Sequence, residues 1–233
     1  MRFCWTRPRL SYAIAILAMG YVIVGLGTVG RGLAMGSKVA IAILAAGRST
    51  RMGKFNKLLS MFGNAPLVRL SVQHATASTG SKVIVVTGHM ANEIREAVRG
   101  LNVTLVHNGA FASGISSSVR AALQAVPDDC DGVLIHLADM PLVNESHMSL
   151  MIEAFDKCRG LSVVRATAYG EHGNPVIIPR RLFRALGDLE GDRGARQVIA
   201  ASGLPVIEVE IGAAAMCDVD TVEALDAAGG SRP

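Results

Sequence analysis

Short apolar runs alternate with amphipathic stretches along the chain from Ser37 onward. A continuous apolar run is typical of a buried strand, and apolar residues spaced at i, i+3 and i+4 are typical of a helix. The apolar runs predict strands at 38–45, 82–88, 102–108, 131–141, 161–168, 174–179 and 205–211. The periodic stretches predict helices at 66–78, 92–100, 116–126, 146–158, 180–189, 195–202 and 221–228. This alternation predicts an α/β fold in which helices cover both faces of a mostly parallel sheet.

The first 35 residues do not follow this alternation. A basic flank, MRFCWTRPRL, precedes roughly twenty uncharged and mostly apolar residues, a length typical of a membrane-spanning segment. Four interpretations stay open: a cleaved signal peptide, a single membrane anchor, a remnant of a fused domain, or a mis-assigned start with translation from Met35. We divide the chain into an apolar N-terminal extension, 1–35, and one domain, 36–233. We expect a cytoplasmic protein without membrane contact, unless residues 10–34 form a true anchor.

The N-terminal extension also contains a glycine pattern typical of dinucleotide-binding loops. YVIVGLGTVGRG fits G-x-G-x-x-G through Gly25, Gly27 and Gly30. Only a few residues separate Gly30 from the strand at Lys38, too few for the helix that such a loop requires. AAGRST stands where an acidic ribose ligand is expected. A NAD(P)-dependent oxidoreductase therefore remains only as the alternative from a different enzyme class.

Charge and cysteine usage argue against two further classes of protein. The formal net charge is +4, but residues 1–38 hold five basic and no acidic residues, so the remainder has 18 basic and 19 acidic residues. A body that is not basic argues against a nucleic-acid partner. The four cysteines form no C-x-x-C pair, which argues against a zinc site or a disulfide framework and favours reduced cytoplasmic thiols.

A cluster of cations follows the first predicted strand, in the segment GRSTRMGKFNK. A glycine there lets the backbone turn, and the N–H groups that follow can point into one concavity beside the basic side chains. These residues are Gly47, Arg48, Arg51, Lys54 and Lys57. Because ligands of such sheets bind at the carboxyl ends of the strands, the segment predicts a polyphosphate site. It is not a Walker A loop, since Phe55 stands where Ser or Thr is required. The alternative is an ordinary solvated basic turn.

Carboxylates follow two other predicted strands. Asp139 ends an apolar run in LADMP, where a buried carboxylate needs a partner, and Mg²⁺ is one. A turn aspartate before a proline is the alternative. Asp218 and Asp220 in CDVDT either supply a second metal ligand or cap the helix that begins near Thr221.

Three loops carry polar residues that can contact a ligand. FASGISSSVRAAL places Gly114 and three serines at a helix N-terminus, where they bind a base or ribose or simply cap the helix. HGNPV at 172–176 and GDRGAR at 191–196 either line an acceptor pocket or close loops. The remaining histidines have no metal-ligand spacing and are interpreted as core or surface residues: His74, His89, His107, His136 and His147.

These blocks, taken in order, resemble those of one enzyme family. LAAGRSTRMGKFNKLL is similar to the first motif of the molybdopterin-dinucleotide (MobA-like) nucleotidyltransferases, and LADMP resembles their metal-binding strand end. GISSSVRAAL, HGNPV, GDRGAR and DVDTVEAL match further blocks, so that the resemblance spans residues 38 to 228. It implies a Rossmann-like three-layer α/β fold with a mostly parallel mixed sheet. It also implies Mg²⁺-dependent transfer of a nucleoside monophosphate from a nucleoside triphosphate to a phosphorylated acceptor, with release of pyrophosphate.

The resemblance further implies roles for individual residues. Arg48, Arg51 and Lys57 are the implied catalytic residues, which hold the triphosphate. The implied metal ligands are Asp139 and Asp220, with Asp218 as the alternate. The implied nucleotide-binding residues are Leu44, Ala45, Ala46, Gly47, Arg48, Arg51, Lys57, Gly88, Gly114, Ser116 and Ser117. The implied acceptor-binding residues are His172, Gly173, Asn174, Pro175, Gly191, Asp192 and Gly194.

Within the family, LAAG resembles the molybdenum cofactor cytidylyltransferases, whereas guanylyltransferases tend to show LAGG. The chain departs from both branches at Ala65-Pro66-Leu67, where CPL or RPL is expected. The resemblance implies transfer of CMP from CTP to the molybdopterin cofactor, with a molybdenum hydroxylase as the implied recipient of the product. Three alternatives stay open: a guanylyltransferase, another nucleotidyltransferase of the same fold, and a non-catalytic cofactor chaperone.

Overall fold

The structure is a computed structural model that describes residues 36–49, 55–189, 191 and 195–232. The N-terminal predictions, including the glycine pattern at Gly25, Gly27 and Gly30, lie outside the described residues. Across the described ranges, no helix combines the length and the apolar character needed to cross a lipid bilayer.

Ten strands and seven α-helices are formed by the described residues. The strands are β1 (Val39–Ala45), β2 (Met61–Phe62), β3 (Ala65–Pro66), β4 (Lys82–Thr87), β5 (Thr104–His107), β6 (Gly132–Leu137), β7 (Val163–Ala168), β8 (Glu171–Pro179), β9 (Val206–Glu210) and β10 (Gly230–Ser231). The α-helices are α1 (Leu67–Ala77), α2 (Ala91–Ala97), α3 (Ile115–Ala125), α4 (Glu145–Lys157), α5 (Phe183–Gly187), α6 (Ala195–Ala201) and α7 (Val222–Ala227). Short 3₁₀ turns cover Lys57–Leu59, Phe111–Ser113, Arg180–Leu182 and Gly212–Ala215.

Seven strands form one sheet in the order β5-β4-β1-β6-β8-β7-β9. The pairs β5/β4, β4/β1, β1/β6 and β7/β9 are parallel, and β8 runs antiparallel to both of its neighbours. The predicted α/β fold with a mostly parallel mixed sheet is confirmed. The predicted strands and helices are present, although β8 begins at Glu171 rather than at Asn174.

Helices cover both faces of this sheet, because its central strands are apolar on both sides. In β1, Ile41 and Ile43 face a core cluster that includes side chains of α1, α2 and α4. The alternate residues Ala42 and Leu44 face a second cluster that includes side chains of α3, α5 and α6. Three layers result, and the candidate site lies at the carboxyl ends of the central strands.

A second, small sheet of the order β10-β2-β3 was not predicted, because each strand is only two residues long. Beside it, Leu67, Val219 and Leu225 form a small buried cluster that packs α7 against the start of α1. Val219 is fully buried, and it lies between two of the aspartates that the sequence singles out. The small cluster therefore fixes the chain at 218–220.

Candidate functional site

Three carboxylates meet at the carboxyl end of the central strands. Asp139 lies two residues beyond β6, and Asp218 and Asp220 lie in the segment before α7. The N–H of Val219 donates a hydrogen bond of 2.9 Å to the carbonyl oxygen of Asp139, which joins the two segments through the backbone. Each aspartate can offer one oxygen, and these three oxygens lie within 4.8 Å of one another. Thr221 rather than an aspartate is the N-cap of α7.

The ammonium group of Lys57 lies between two of these carboxylates. Its Nζ is 2.5 Å from Oδ2 of Asp139 and 2.5 Å from Oδ1 of Asp220. Burial alone would lower the pKa of Lys57, but the charge of Asp139 and the hydrogen bonds to both aspartates outweigh it and raise that pKa. Lys57 is therefore a cation held at the centre of an acidic cluster.

The donor set fits a hard divalent cation. Oδ1 of Asp139 is buried and accepts no hydrogen bond from the described residues. Burial raises the pKa of Asp218, and the negative charges of Asp220 and Asp139 raise it further. An unsatisfied buried carboxylate oxygen beside two further carboxylates matches the oxygen ligands that Mg²⁺ and Mn²⁺ prefer.

The turn after β1 carries the predicted polyphosphate residues. Gly47 and Arg48 are exposed, and Ser49 has a left-handed backbone with a φ of 52°. The Ser49 hydroxyl donates to Oδ1 of Asn56 (3.2 Å) and accepts from the N–H of Lys57 (3.2 Å). The turn is thus tied to the residue that reaches the carboxylates. Arg51 and Lys54 lie outside the described residues.

One wall of the site is built where Gly88 follows β4. A Cβ atom at Gly88 would lie 2.7 Å from Cβ of Phe111 and 2.8 Å from Cβ of Ala46, so only glycine allows these two residues to approach. The Phe111 ring lies 5.5 Å from the guanidinium carbon of Arg48, a cation–π contact. Gly88 therefore allows Phe111 and Ala46 to pack together, although Gly88 itself does not line the cleft.

One serine near the start of α3, Ser118, lines the cleft, and Asn108 orders it together with the neighbouring Ser117. Its Nδ2 donates to the hydroxyl oxygens of Ser117 (2.8 Å) and Ser118 (3.0 Å). The Ser117 hydroxyl then donates to the carbonyl of Gly114 (2.8 Å). Ser118 lines the cleft, and because its oxygen already accepts from Asn108, its hydroxyl hydrogen is directed elsewhere.

These walls enclose a cleft of about 700 Å³. The predicted residues that line it are Leu44, Ala46, Gly47, Arg48, Lys57, Gly114, Asp139 and Asp220. The predicted contacts of Ala45, Gly88, Ser116 and Ser117 are not among its lining residues within the described ranges. Ala45 packs into the core behind β1, and Ser116 and Ser117 are buried in α3. Ser118, the next residue of α3, lines the cleft instead.

The predicted acceptor residues lie beyond β6, around the start of β8. The ring of His172 contacts Arg165 and Glu208, and Gly173 packs so closely on the carbonyl of Ala215 that no side chain fits there. The Asn174–Pro175 peptide bond is cis. The carbonyl of Gly191 accepts a hydrogen bond from the N–H of Ser116 (3.2 Å), which ties its loop to α3. Asp192 and Gly194 lie outside the described residues.

Comparison with known proteins decides the family. Residues 41–206 match the family model described as the MobA-like NTP transferase domain. The chain belongs to this family. As a MobA-like protein it is a nucleotidyltransferase, and the family predicted from the sequence motifs is confirmed.

Individual MobA-like and structural relatives agree with this family. The chain is 28% identical to the molybdenum cofactor cytidylyltransferase of Escherichia coli K12 over 190 residues, which cover 79% of this chain and 92% of that protein. It is 28% identical to a Mycobacterium sp. JC1 homolog of Rv0371c, with a TM-score of 0.71, covering 83% and 96% of the two chains. Rv0371c of Mycobacterium tuberculosis, solved with manganese, shares the fold at 23% identity and a TM-score of 0.68, covering 82% and 98%.

Sequence reasoning missed three residues of this MobA-like site: Asn108, Phe111 and Ser118. Phe111 and Ser118 lie within FASGISSSVRAAL, but Phe111 belongs to a 3₁₀ turn before α3, and the orientation of Ser118 depends on the exact start of α3. Asn108 follows β5 directly, and a polar residue at the carboxyl end of a strand is a candidate for ligand binding.

Proposed function

We propose that the protein transfers CMP from CTP to the molybdopterin cofactor with the help of Mg²⁺, giving molybdopterin cytosine dinucleotide and pyrophosphate. The observation that carries the proposal is the cluster of Asp139, Asp218 and Asp220 around Lys57, at the end of a cleft that also contains Arg48. Similarity to a molybdenum cofactor cytidylyltransferase across 92% of that protein supports the choice of acceptor and base.

The reaction is a displacement at phosphorus. An oxygen of the acceptor phosphate forms a bond to the α-phosphorus of CTP, and the bond between that phosphorus and the α–β bridging oxygen breaks. The electron pair and the negative charge leave with pyrophosphate. The protein therefore needs to position two phosphates and to offset the charge that develops on the leaving group.

Asp139 and Asp220 would hold Mg²⁺, with Asp218 as the alternate ligand. Bound there, the ion would neutralise phosphate charge and orient the α-phosphate and the leaving pyrophosphate. Lys57 and Arg48 would bind the leaving phosphates as cations, together with Arg51. To contact a phosphate oxygen, Lys57 would have to give up its contact with Asp139 or with Asp220.

Recognition of the base would take place between Ala46 and α3. In LAAG the third residue is Ala46, whose methyl group lies where guanylyltransferases tend to have glycine, and this favours CTP over GTP. Gly47 and Gly114 would offer backbone N–H groups, with Leu44 packing on the nucleoside. Ser118, held by Asn108, would donate its hydroxyl hydrogen to an acceptor atom of the nucleoside.

The remaining assignments are proposed with the same function. The acceptor would bind near the residues at 172–175 and 191–194, and a molybdenum hydroxylase would receive the product in the cytoplasm. The catalytic domain would comprise residues 36–233, and the extension 1–35 would take no part in the chemistry.

The test is pyrophosphate release by the full chain with Mg²⁺ and molybdenum-loaded molybdopterin, comparing CTP, GTP and ATP. We expect release with CTP alone, and a product whose mass equals that of molybdopterin cytosine dinucleotide. Release with GTP alone would retain the chemistry but refute the base. The absence of release with any nucleotide would refute molybdopterin as the acceptor, and sugar phosphates would then be tried in its place.

A further inference from the structure

Arg165 is an arginine buried in the middle of β7. It is only 8% exposed, and burial lowers its pKa, with the positive charge of Arg196 as the second cause. Arginine remains charged in proteins, so this guanidinium carries a full positive charge in a place largely screened from water. Such a group needs hydrogen-bond acceptors.

The one acceptor for Arg165 among the described residues is His172. Nη1 of Arg165 lies 3.2 Å from Nδ1 of His172, and Nε2 of His172 lies 2.9 Å from Oε1 of Glu208. Arginine can only donate, so Nδ1 accepts, and the proton of the neutral ring is on Nε2, which donates to Glu208. This series of hydrogen bonds orients the guanidinium group but uses only one of its five N–H donors.

Arg165 lines a pocket of about 500 Å³, together with His172, Arg196, Glu171 and apolar residues that include members of α6 and β9. Arg196 is exposed and has no hydrogen-bond or ion-pair partner in the part of the chain that the structure describes. Two guanidinium groups thus converge on one pocket, while the carboxylate of Glu208 is engaged by His172. A planar guanidinium pairs with oxyanions through two parallel bonds.

We propose that Arg165 and Arg196, with His172 as the positioning residue of Arg165, form a binding pocket for an oxyanionic group of the acceptor other than its attacking phosphate. The proposal rests on the proposed function for the identity of the acceptor. If that acceptor is molybdopterin, the oxo groups of the metal bound by its dithiolene are such a group.

The pocket lies on the same side of the sheet as the nucleotide cleft. Leu44 lines the cleft, Ile199 lines the pocket, and both belong to the core cluster that includes α3, α5 and α6. The bond from the N–H of Ser116 to the carbonyl of Gly191 joins the start of α3 to a residue five positions before Arg196 in the chain. An acceptor bound on this face would therefore have its attacking phosphate at the carboxylate cluster and its second oxyanionic group at the two arginines.

The first experiment does not depend on catalysis. The full chain is titrated with inorganic phosphate by calorimetry, without metal or nucleotide, as wild type, Arg196→Gln and the control Arg184→Gln, which removes an exposed arginine of α5. We expect Arg196→Gln to weaken phosphate binding by about tenfold or more, the size of a lost charge-assisted pair, and Arg184→Gln to leave it unchanged. Equal phosphate affinities of wild type and Arg196→Gln would show that this pocket does not bind oxyanions through Arg196.

The second experiment tests the acceptor. With Arg196→Gln, we expect the KM for molybdenum-loaded molybdopterin to rise about tenfold or more while the KM for CTP stays within about twofold. If phosphate binding weakens but the acceptor KM is unchanged, the pocket takes a free oxyanion and the assignment to the acceptor is wrong. If wild type transfers no CMP to molybdopterin, the proposed function fails, whereas the titration still decides whether the pocket binds oxyanions.

Discussion

Nζ of Lys57 lies 2.5 Å from Oδ2 of Asp139, although 82 positions separate the two residues in the chain. The same ammonium reaches Asp220 at 2.5 Å. A lysine proposed to bind phosphates is thus paired with carboxylates proposed to bind a metal. The pairing offsets the repulsion between the two carboxylates, and a metal bound by the same oxygens would have to compete with Lys57.

Removal of the charge of Asp139 should abolish most of the activity. We expect Asp139→Asn to reduce the turnover of pyrophosphate release by on the order of 10³-fold, as for the loss of other preorganised electrostatic groups. Asp226→Asn, which changes an exposed aspartate of α7, is the matched control and should keep wild-type turnover. A circular dichroism spectrum like that of wild type, together with near wild-type turnover for Asp139→Asn, would remove Asp139 from the mechanism.

Replacement of Lys57 should affect metal binding and turnover in opposite directions. Without the ammonium, the carboxylates repel one another more strongly and attract a cation more strongly, since two unit charges about 4 Å apart interact by about 4 kcal/mol even at an effective dielectric constant of 20. We expect Lys57→Met to bind Mn²⁺ about tenfold or more tightly in the absence of nucleotide, and to turn over about 10²-fold or more slowly. Electron paramagnetic resonance of free Mn²⁺ measures the first quantity.

Lys57→Arg serves as the control for that experiment, because it keeps the positive charge. Its Mn²⁺ affinity should stay close to that of wild type. Weaker Mn²⁺ binding by Lys57→Met than by wild type would show that Lys57 supports the metal site rather than competing with the metal.

A reversal of the hydrogen bonds at Asn108 should weaken nucleotide binding. Asn108→Asp keeps the shape but turns two donors into acceptors, so the hydroxyls of Ser117 and Ser118 must donate to it. Ser118 then loses its donor toward the nucleoside. We expect the KM for CTP to rise about tenfold, the size of one lost hydrogen bond to a ligand. Steady-state kinetics at saturating acceptor measures it.

The coupling of Asn108 to Ser118 can be tested by a double-mutant cycle. Ser118→Ala should raise the KM for CTP by a similar factor, and the double variant should be little worse than either single variant. Fully additive effects would mean that Asn108 does not act through Ser118.

His136 should make the fold sensitive to acid. The ring is fully buried in β6, and both of its nitrogens lack partners among the described residues. Burial, with a smaller effect of His74, lowers the pKa of His136 to about 3. The unfolded chain binds a proton near its usual pKa of about 6.5, so stability is lost as the pH falls from about 6.5 toward 3.

We expect this histidine to cost about 2 kcal/mol of the free energy of unfolding between pH 7 and pH 5. His136→Leu should remove that part of the pH dependence, whereas His107→Gln, at an exposed position, should retain it. Urea unfolding at several pH values gives the comparison. Parallel pH profiles for wild type and His136→Leu would show that His136 does not control the acid sensitivity.

The sequence was sufficient to predict the strands of the main sheet, the helices that cover it, and the end of the strands at which the site lies. Apolar runs and helical periodicity are local properties, and parallel strands bring their carboxyl ends together. Gly47 and Asp139 could therefore be placed on the same edge from the ends of two predicted strands. Both line the cleft.

Contacts between distant segments could not be predicted in this way. Lys57 and Asp220 are 163 positions apart, and their contact depends on how α7 and the small sheet pack. The choice of Ser118 over Ser116 depends on the rotation of α3, since each residue turns a helix by about 100°. The burial of Arg165 depends on which face of β7 meets α6.

Main-chain atoms alone form the bond from Val219 to the carbonyl of Asp139. The side chain at 219 can therefore vary among apolar residues of similar size without changing the distance between the acidic segments. A proline at 219 would remove the donor, and one inserted residue between 218 and 220 would shift the spacing of the carboxylates. The spacing of the acidic segments thus depends on the backbone path and on the number of residues between 218 and 220. It should tolerate apolar replacements at position 219 but not an insertion there.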